Sequence, residues 1–449
     1  MKENAEKVGG LEKLAFALAN VGNIPIMTLI NSFLLIFYTD VAGINPAVVG
    51  TLFIISRVVD GINDPIMGFI IDHLPKTKMG RFRPYIIIGA FLCSINYLLL
   101  WFGPIMFPGI KVVIIYISYL LIGITFDLMD IPLNSMIPVM TEDMKQRSSL
   151  SSIKGTSYII GGVVLSVIAP MILQRYQSSL QGYIIIVMVA VLIVICFSTI
   201  GALGTKERVQ PVKDEKYKFK DLFPMLRQRP VLALFIATLS SGISSAVVAG
   251  TNVFFATYIL DNRLEVLSVG GLLSLLGMIP GVIAAAAFAN KFGKAKIFTI
   301  SLLIPVVFTL LRLVNITSIP LYYACSLVNA FGQGIMISLM YSIQADNVDY
   351  IEYKLNNRAE GALASLNSFV TKAGQGLGGA IPSYILAATG YVAHTKQTGM
   401  AYTGMVLITI IIPPIFMLIS ALVFGIGYNL NNKSMQEVIN TLHAKRESK

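Results

Sequence analysis

The sequence predicts an all-α membrane protein of twelve transmembrane helices in two pseudo-symmetric halves of six. Three observations carry that prediction. Of the 449 residues, 55% are hydrophobic and only 13% are charged, whereas a soluble globular chain is about 25% charged. Apolar stretches near the length of about 20 residues that an α-helix needs to cross a hydrocarbon core recur almost end to end. The longest charged stretch, residues 205–229 with the run KERVQPVKDEKYKFKD, falls near the middle of the chain, and no membrane span could hold it.

In order, the apolar runs place spans at 12–38, 46–73, 84–103, 111–138, 149–173 and 182–203, and then at 230–260, 266–289, 295–314, 319–345, 361–388 and 400–428. The domain organisation that follows is a first half over 1–204, a linker over 205–229, a second half over 230–430 and a tail over 431–449. The first ten residues are polar, and the run after them is too long and too poor in cleavage-type small residues for a signal peptide, so the first helix is expected to stay. Cys93, Cys196 and Cys325 each fall within a span as small apolar side chains, and no disulfide or zinc framework is implied. His73, His394 and His443 lie in or near loops without ligand spacing.

A net charge of +11 would suit nucleic acid, but the placement of the basic residues argues for a bilayer instead. With the N-terminus taken as cytoplasmic, 26 Lys and Arg fall on the cytoplasmic side, and the outer loops receive Lys111, Arg175, Arg263 and Lys396. That asymmetry is the positive-inside rule, and it puts both termini and the linker in the cytoplasm of a plasma-membrane protein.

The halves echo one another. A basic turn with glycine follows the second span (Lys78-Met79-Gly80-Arg81) and the eighth (Lys291-Phe292-Gly293-Lys294). Polar loops with an arginine follow spans four and ten (Arg147, Arg358), and each leads into a Gly-rich helix with a buried lysine, Lys154 or Lys372. Two six-helix halves with internal similarity describe the major facilitator architecture, whose substrate site is expected between halves near the bilayer midplane.

The informative residues are charges placed where charges are expensive. At a helix centre each costs roughly 2.5–3.5 kcal/mol on insertion scales, so a pathway or relay facing the protein interior is the default reading. The second span carries Arg57, Asp60 and Asp64 within RVVDGINDP, and the fourth carries Asp127, Asp130 and Asn134 within FDLMDIPLN. At 100° per residue each trio spans only about 60° of its helix. At about 1.5 Å per residue, Asp60 and Asp127 lie roughly 21 and 24 Å below the outer ends of their helices, so the acidic faces share a depth. Lys372 rises roughly 17 Å from the inner end of its own helix toward the same plane. Four acids against the three bases Arg57, Lys154 and Lys372 leave one surplus negative charge. Carboxylates crowded together need a proton or a bound cation, and their oxygens are hard ligands suited to an alkali ion. Arg57 also has a purely structural reading, as the neutraliser of Asp60 one turn away.

The strings RVVDGINDPIMGFIIDHLPKTKMGRFRP, MDIPLNSMIP, ADNVDYIEYKLNNRAEGALAS and FVTKAGQGLGG run in matching order along the whole chain. The sequence resembles the glycoside-pentoside-hexuronide:cation symporter family, the melibiose permease-like group. The resemblance implies symport of a sugar or glycoside with Na⁺ or H⁺ by alternating access, with no other cofactor. It implies a cation site at Asp60 and Asp64, and sugar contacts or links between the two sites at Asp130, Lys154 and Lys372. Asn20, Asn23, Asn134 and Arg57 are read with this substrate group, and Asp127 with the cation group.

Three departures qualify the likeness. Where the melibiose permease-like pattern has an acidic sugar contact on the first helix, this chain has Gly22-Asn23-Ile24. Four positions after the MDIP aspartate, where that pattern has an aromatic residue, stands Asn134. Asp127 replaces a hydroxyl residue near the cation, adding a ligand or favouring proton coupling. Loss of the first-helix acid suits an anionic uronide and gain of Asp127 opposes it, which leaves neutral glycosides and pentosides ahead. The Asp72-to-Arg83 turn, with Gly80, Arg81 and Arg83, resembles a facilitator gating loop, and Arg147 and Arg358 are read as gating residues too. Gln344, Asp346, Asp349, Glu352 and Arg358 read as a polar latch between halves. The competing function class is a carrier of lipid-like or amphiphilic solute on the same scaffold. An enzyme is excluded for want of a nucleophile, base or metal constellation beyond the acids already assigned. A monomer in the bilayer is expected, with a small-molecule sugar and a monovalent cation as its partners.

Overall fold

A computed structural model describes residues 8–72, 75, 77–209, 222–355, 360–397, 399–430 and 432–447. Among these residues the only β-type pairing is an isolated bridge between Thr77 and Gly80; the rest is helix and short connections. The chain divides into two compact units, Met1–Asp214 and Glu215–Lys449.

The first unit contains α1 (Gly10–Ile36), α2 (Pro46–Asp72), α3 (Arg83–Met106), α4 (Lys111–Asn134), the short α5 (Met136–Met140), α6 (Met144–Arg175) and α7 (Leu180–Gly204). The second contains the short α8 (Leu222–Leu226), α9 (Arg229–Phe254), α10 (Glu265–Phe292), α11 (Lys294–Leu311), α12 (Ile319–Leu355), α13 (Glu360–Ala388), α14 (Gly399–Val406), α15 (Ile412–Gly427) and α16 (Asn432–Glu447). A π-helical turn, Leu407–Ile411, joins α14 to α15 into one continuous rod. Among the described residues ten helical stretches are long and apolar enough to cross a membrane. The two remaining long helices, α2 and α13, have 27 and 29 residues, also a spanning length, and carry the Arg57–Asp64 run and Lys372.

The structure departs from the expected spans in three places. The fourth does not run unbroken to 138: α4 stops at Asn134 and resumes as α5 after Ser135. The ring of Pro138 conflicts with the carbonyl four residues earlier, that of Asn134, which is where the rod breaks. The tenth continues to Leu355, beyond the expected end at 345, because its polar end is supported from outside the apolar run. Lys294 of α11 pairs with Asp346 there at 2.8 Å. The expected tail folds as α16, whose Met435, Val438 and Leu442 recur at helical spacing and are buried in one core with Ile343, Phe424 and Tyr428.

Small residues set the closest helix contacts, as expected where lipid supplies no hydrophobic drive between helices. A Cβ on Gly201 or Gly204 of α7 would collide with Ala19 or Ala15 of α1. In the second unit Gly277 and Gly281 of α10 lie against the Leu327 and Phe331 carbonyls of α12, and Gly374 and Gly378 of α13 lie against α9.

Candidate functional site

In the first unit, two polar clusters form around α4. The first lies between α2 and α4. Arg57 pairs with Asp60 at 3.0 Å, with both side chains largely covered. Asp60 lies against Gly123 of α4, where an added Cβ would stand 2.9 Å from its Oδ1, so glycine makes the room the carboxylate occupies. One turn further along, Asn63 donates from Nδ2 to Asp127 Oδ2 at 3.3 Å, and Asp127 is 6% exposed. One turn the other way, Tyr119 lies within hydrogen-bonding reach of Arg57. Residues 57, 60 and 63 thus meet 119, 123 and 127 in order. Steps of three and four residues are the periodicity of one helix face, so α2 and α4 run in the same direction with their acid-bearing faces together.

The second cluster joins α1, α4 and α6. Buried Asn23 donates from Nδ2 to Asp130 Oδ1 at 2.5 Å and lies 3.4 Å from the Tyr158 hydroxyl. Asn134 donates to the other oxygen, Oδ2, at 2.8 Å. Lys154 in turn donates to Asn134 Oδ1 at 2.5 Å, so its ammonium reaches Asp130 through the amide. Asn134 is exposed and Asp130 and Lys154 half-buried, which leaves this network open to a solute. A carboxylate ringed by amides, a tyrosine hydroxyl and a lysine offers the alternating donors and acceptors that sugar hydroxyls use. Asn20 stands apart from it: fully enclosed, it donates to the Phe16 carbonyl of its own helix at 2.7 Å.

The turn between α2 and α3 is built by reciprocal capping. Backbone N–H groups of Arg81, Phe82 and Arg83 donate to the Glu207 carboxylate at 2.7, 2.8 and 3.1 Å, an anion placed at a helix N-terminus where the dipole favours it. Arg83 answers by donating to the Ala202 and Leu203 carbonyls that end α7. Gly80 has φ of +116°, and a Cβ there would meet Glu207 Oε1 at 2.5 Å, so a side chain would strain the backbone and push the capping carboxylate aside. Glu12 of α1 holds the start of the linker with a forked pair of 2.7 Å bonds to Arg208. Arg147 donates to the Pro138 carbonyl within α5 and to the Thr141 carbonyl just after it.

Most of the sequence-expected residues of the first half therefore gather in two clusters and one capped turn. The side chains of Asp64 and Asp72, and Arg358 as a whole, lie outside the described residues. Lys372 lies half-buried on α13 of the second unit. Among the described residues no three metal-ligating side chains converge, and Asp60 and Asp127 are the carboxylates that facing helices bring to one seam. Sequence reading missed Asn63, Tyr158, Gly123, Glu207 and Glu12. Asn63 had a signal, since it shares the face of Asp60 in DGIND; Glu207 and Glu12 act through partners more than 120 residues away.

The tally of buried bases also omitted Arg312. It is 8% exposed, with its guanidinium 4.4 and 4.8 Å from the Phe255 and Tyr322 ring centres.

Among known proteins, the chain is 30% identical over 441 residues to a glucuronide carrier protein homolog of Escherichia coli, covering 95% of this chain and 94% of that protein. It is 29% identical over 398 residues to the isoprimeverose transporter of Lactiplantibacillus pentosus, covering 87% and 82%. Its fold matches the crystal structure of the nucleoside transporter NupG with a TM-score of 0.64 at 12% identity, over 94% of this chain and all of that one. With residues 15–432 matching the model described as MFS/sugar transport protein, the chain belongs to that family of multi-pass transporters within the major facilitator superfamily.

Proposed function

We propose that this protein is a cation-coupled symporter of a neutral sugar or glycoside, working by alternating access. Asp60, Asp64 and Asp127 form the cation site, and Asn23, Asp130, Asn134 and Lys154 bind the sugar. The observation that carries the reading is the register of α2 and α4, which sets Asp60 and Asp127 along one seam while Asp130, one turn beyond Asp127, anchors the separate amide network. A single helix face thus serves both ligands, a short path for coupling free energy between them. Two relatives, one named as a homolog of a glucuronide carrier protein and one as an isoprimeverose transporter, support a sugar-type solute. Lys372 is proposed to tune this coupling from the second unit.

The test is counterflow of radiolabelled sugars in vesicles, with and without a sodium or proton gradient, on the natural chain, on Asp64→Asn and on Lys372→Ala. Gradient-driven accumulation should vanish in Asp64→Asn, since a hard oxygen ligand is lost. Lys372→Ala should weaken the mutual enhancement of cation and sugar binding by one common factor. Uphill uptake at the normal rate in Asp64→Asn would remove the cation assignment.

The termini and the 205–229 linker are proposed to be cytoplasmic, on the strength of the basic asymmetry. A Lys213→Cys variant should resist an impermeant thiol reagent outside intact cells, and labelling there would invert the topology.

A further inference from the structure

Tyr158 of α6 brings an aromatic ring to the Asp130 network. Its hydroxyl lies 3.4 Å from Asn23 Nδ2, so the ring stands between the α6 backbone and the polar atoms around Asp130. The residue is still 39% exposed. That is more surface than a hydroxyl alone can contribute, so ring carbons are open as well.

The face of α6 beside this ring is bare. At 100° per residue, Lys154, Tyr158, Gly162 and Gly155 fall within an arc of about 100°. Glycine weakens a helix interior, and in membrane helices close packing usually offsets that loss. Gly161 follows the rule, since an added Cβ would meet Ile24 of α1 at 2.4 Å. Gly155 and Gly162 do not: a Cβ on either meets nothing within 4 Å among the described residues. The exposed Ile160 and Val164 lie about 160° and 120° from Tyr158 around the helix, so the apolar outer face of α6 is a different one.

A flat ring beside an open strip, with donors and acceptors at its tip, suits a solute that has one apolar face and hydroxyls at its rim. A pyranose is such a solute. Its axial C–H bonds can lie on the aromatic carbons while its hydroxyls reach Asp130, Asn134, Lys154 and the Tyr158 O–H. An open-chain alditol carries the same hydroxyls but no such face. We infer that Tyr158 is a specificity-determining residue, whose ring stacks on the C–H face of a pyranose and so selects a cyclic sugar over an open-chain polyol. The inference rests on the proposed sugar transport, and it gives one side chain a choice that the hydrogen bonds around Asp130 cannot make alone.

The full-length chain is reconstituted in vesicles, and a transported sugar is identified by counterflow from a panel of neutral pentoses, hexoses and their glycosides. Its uptake is then competed with methyl xylopyranoside and methyl glucopyranoside, whose rings cannot open, and with xylitol and glucitol, their open-chain counterparts. In the natural chain the alditols should bind about tenfold more weakly than the pyranosides. Tyr158→Phe keeps the ring, so it should weaken both classes by less than about threefold and preserve their ratio. Tyr158→Leu should bring the ratio to within about twofold, and Tyr158→Met serves as a second ringless variant if Leu lowers the yield of folded protein. Gly155→Ala and Gly162→Ala should leave the melting temperature unchanged while weakening pyranoside binding about threefold or more. A ratio kept in the ringless variants, or lost in Phe as fully as in Leu, overturns the stacking role; the second result would make the hydroxyl a positioning group for Asn23. Unchanged binding in both glycine variants would give the open strip to lipid and overturn the inference too. Sugar transport without any preference for pyranosides in the natural chain overturns the ring selection alone, whereas counterflow of no sugar overturns the function reading and the inference with it.

Discussion

Gly123 in the first unit and Gly281 in the second each let something come closer than a side chain would permit, but what comes close differs. At Gly123 it is the Asp60 carboxylate, whose Oδ1 would stand 2.9 Å from an added Cβ; at Gly281 it is the Phe331 carbonyl of the facing backbone, at 2.2 Å. The first glycine makes room for a functional group on a side chain that still has rotamers to use. The second brings two rigid rods together. Around them the contacts follow suit: α4 meets α2 and α1 through Asp60, Asn63, Asp127, Asn23 and Asp130, whereas α10 and α12 meet through Gly277, Gly281 and Gly334. The same residue type therefore serves chemistry at one contact and mechanical rigidity at another, and the first unit holds both kinds, since Gly89 of α3 meets the Leu128–Met129 backbone of α4 and Gly201 and Gly204 of α7 meet α1.

One substitution made in both places tests the contrast. Gly281→Ala should have the largest effect of the set, because neither backbone can retreat without parting the whole α10–α12 seam. Overpacking of a tight contact costs about 1–3 kcal/mol and occasionally more, so a clear fall in melting temperature and in the yield of folded protein is expected. A Gly281→Ala protein as stable as the natural one would remove the rigidity argument. Gly123→Ala should come next and differ in kind. Asp60 should swing aside at small cost to folding, but the seam it shares with Asp127 would open, and cation affinity should fall about tenfold, or about 1.4 kcal/mol. Equal stability loss in both variants, with cation affinity untouched in Gly123→Ala, would erase the distinction.

How far the sequence revealed this follows from where each signal resides. The long helices were legible because the bilayer imposes its thickness on the chain, and the acids were legible because a charge in that medium needs a reason. The end of α12 was not, since residues such as Asp346 lower the apolar signal while Lys294, far away in sequence, keeps the helix together. The capping of α3 by Glu207 was equally hidden: a carboxylate in a charged stretch is one of many until the fold delivers it to three backbone N–H groups. In the site, Asp130 and its donor Asn134, four residues on, could be singled out from the spacing on their own helix, but Asn23 was read only as a polar neighbour, because a hydrogen-bond partner on another helix leaves no spacing to read.

The smallest effect is expected where the contrast between the units reverses. The first long helix of each unit ends in a π-helical turn, Phe37–Val41 after α1 and Phe255–Ile259 after α9. Phe37 packs edge-on against Trp101 at 5.0 Å between ring centres, while Phe255 carries the guanidinium of Arg312 at 4.4 Å. Trp101 and Arg312 each come eighteen residues after the first residue of α3 or α11, so an apolar ring in the polar unit occupies the station that a buried cation takes in the apolar one. Arg312 gains from two aromatic faces, and a desolvated cation–π contact is worth about 2 kcal/mol or more. Against this stand the loss of hydration and an Nη2 that finds no hydrogen-bond partner among the described residues. Replacing a buried charge by an apolar group of similar volume is often neutral or stabilising. Arg312→Met should therefore change stability by less than about 1 kcal/mol, a shift of only a few degrees at most for a chain of this size. A scan of thermal unfolding in detergent measures it directly. A loss several times larger would mean that the cation, rather than the shape of the side chain, fastens α9, α11 and α12 together, and the second unit would then depend on a buried charge as much as the first.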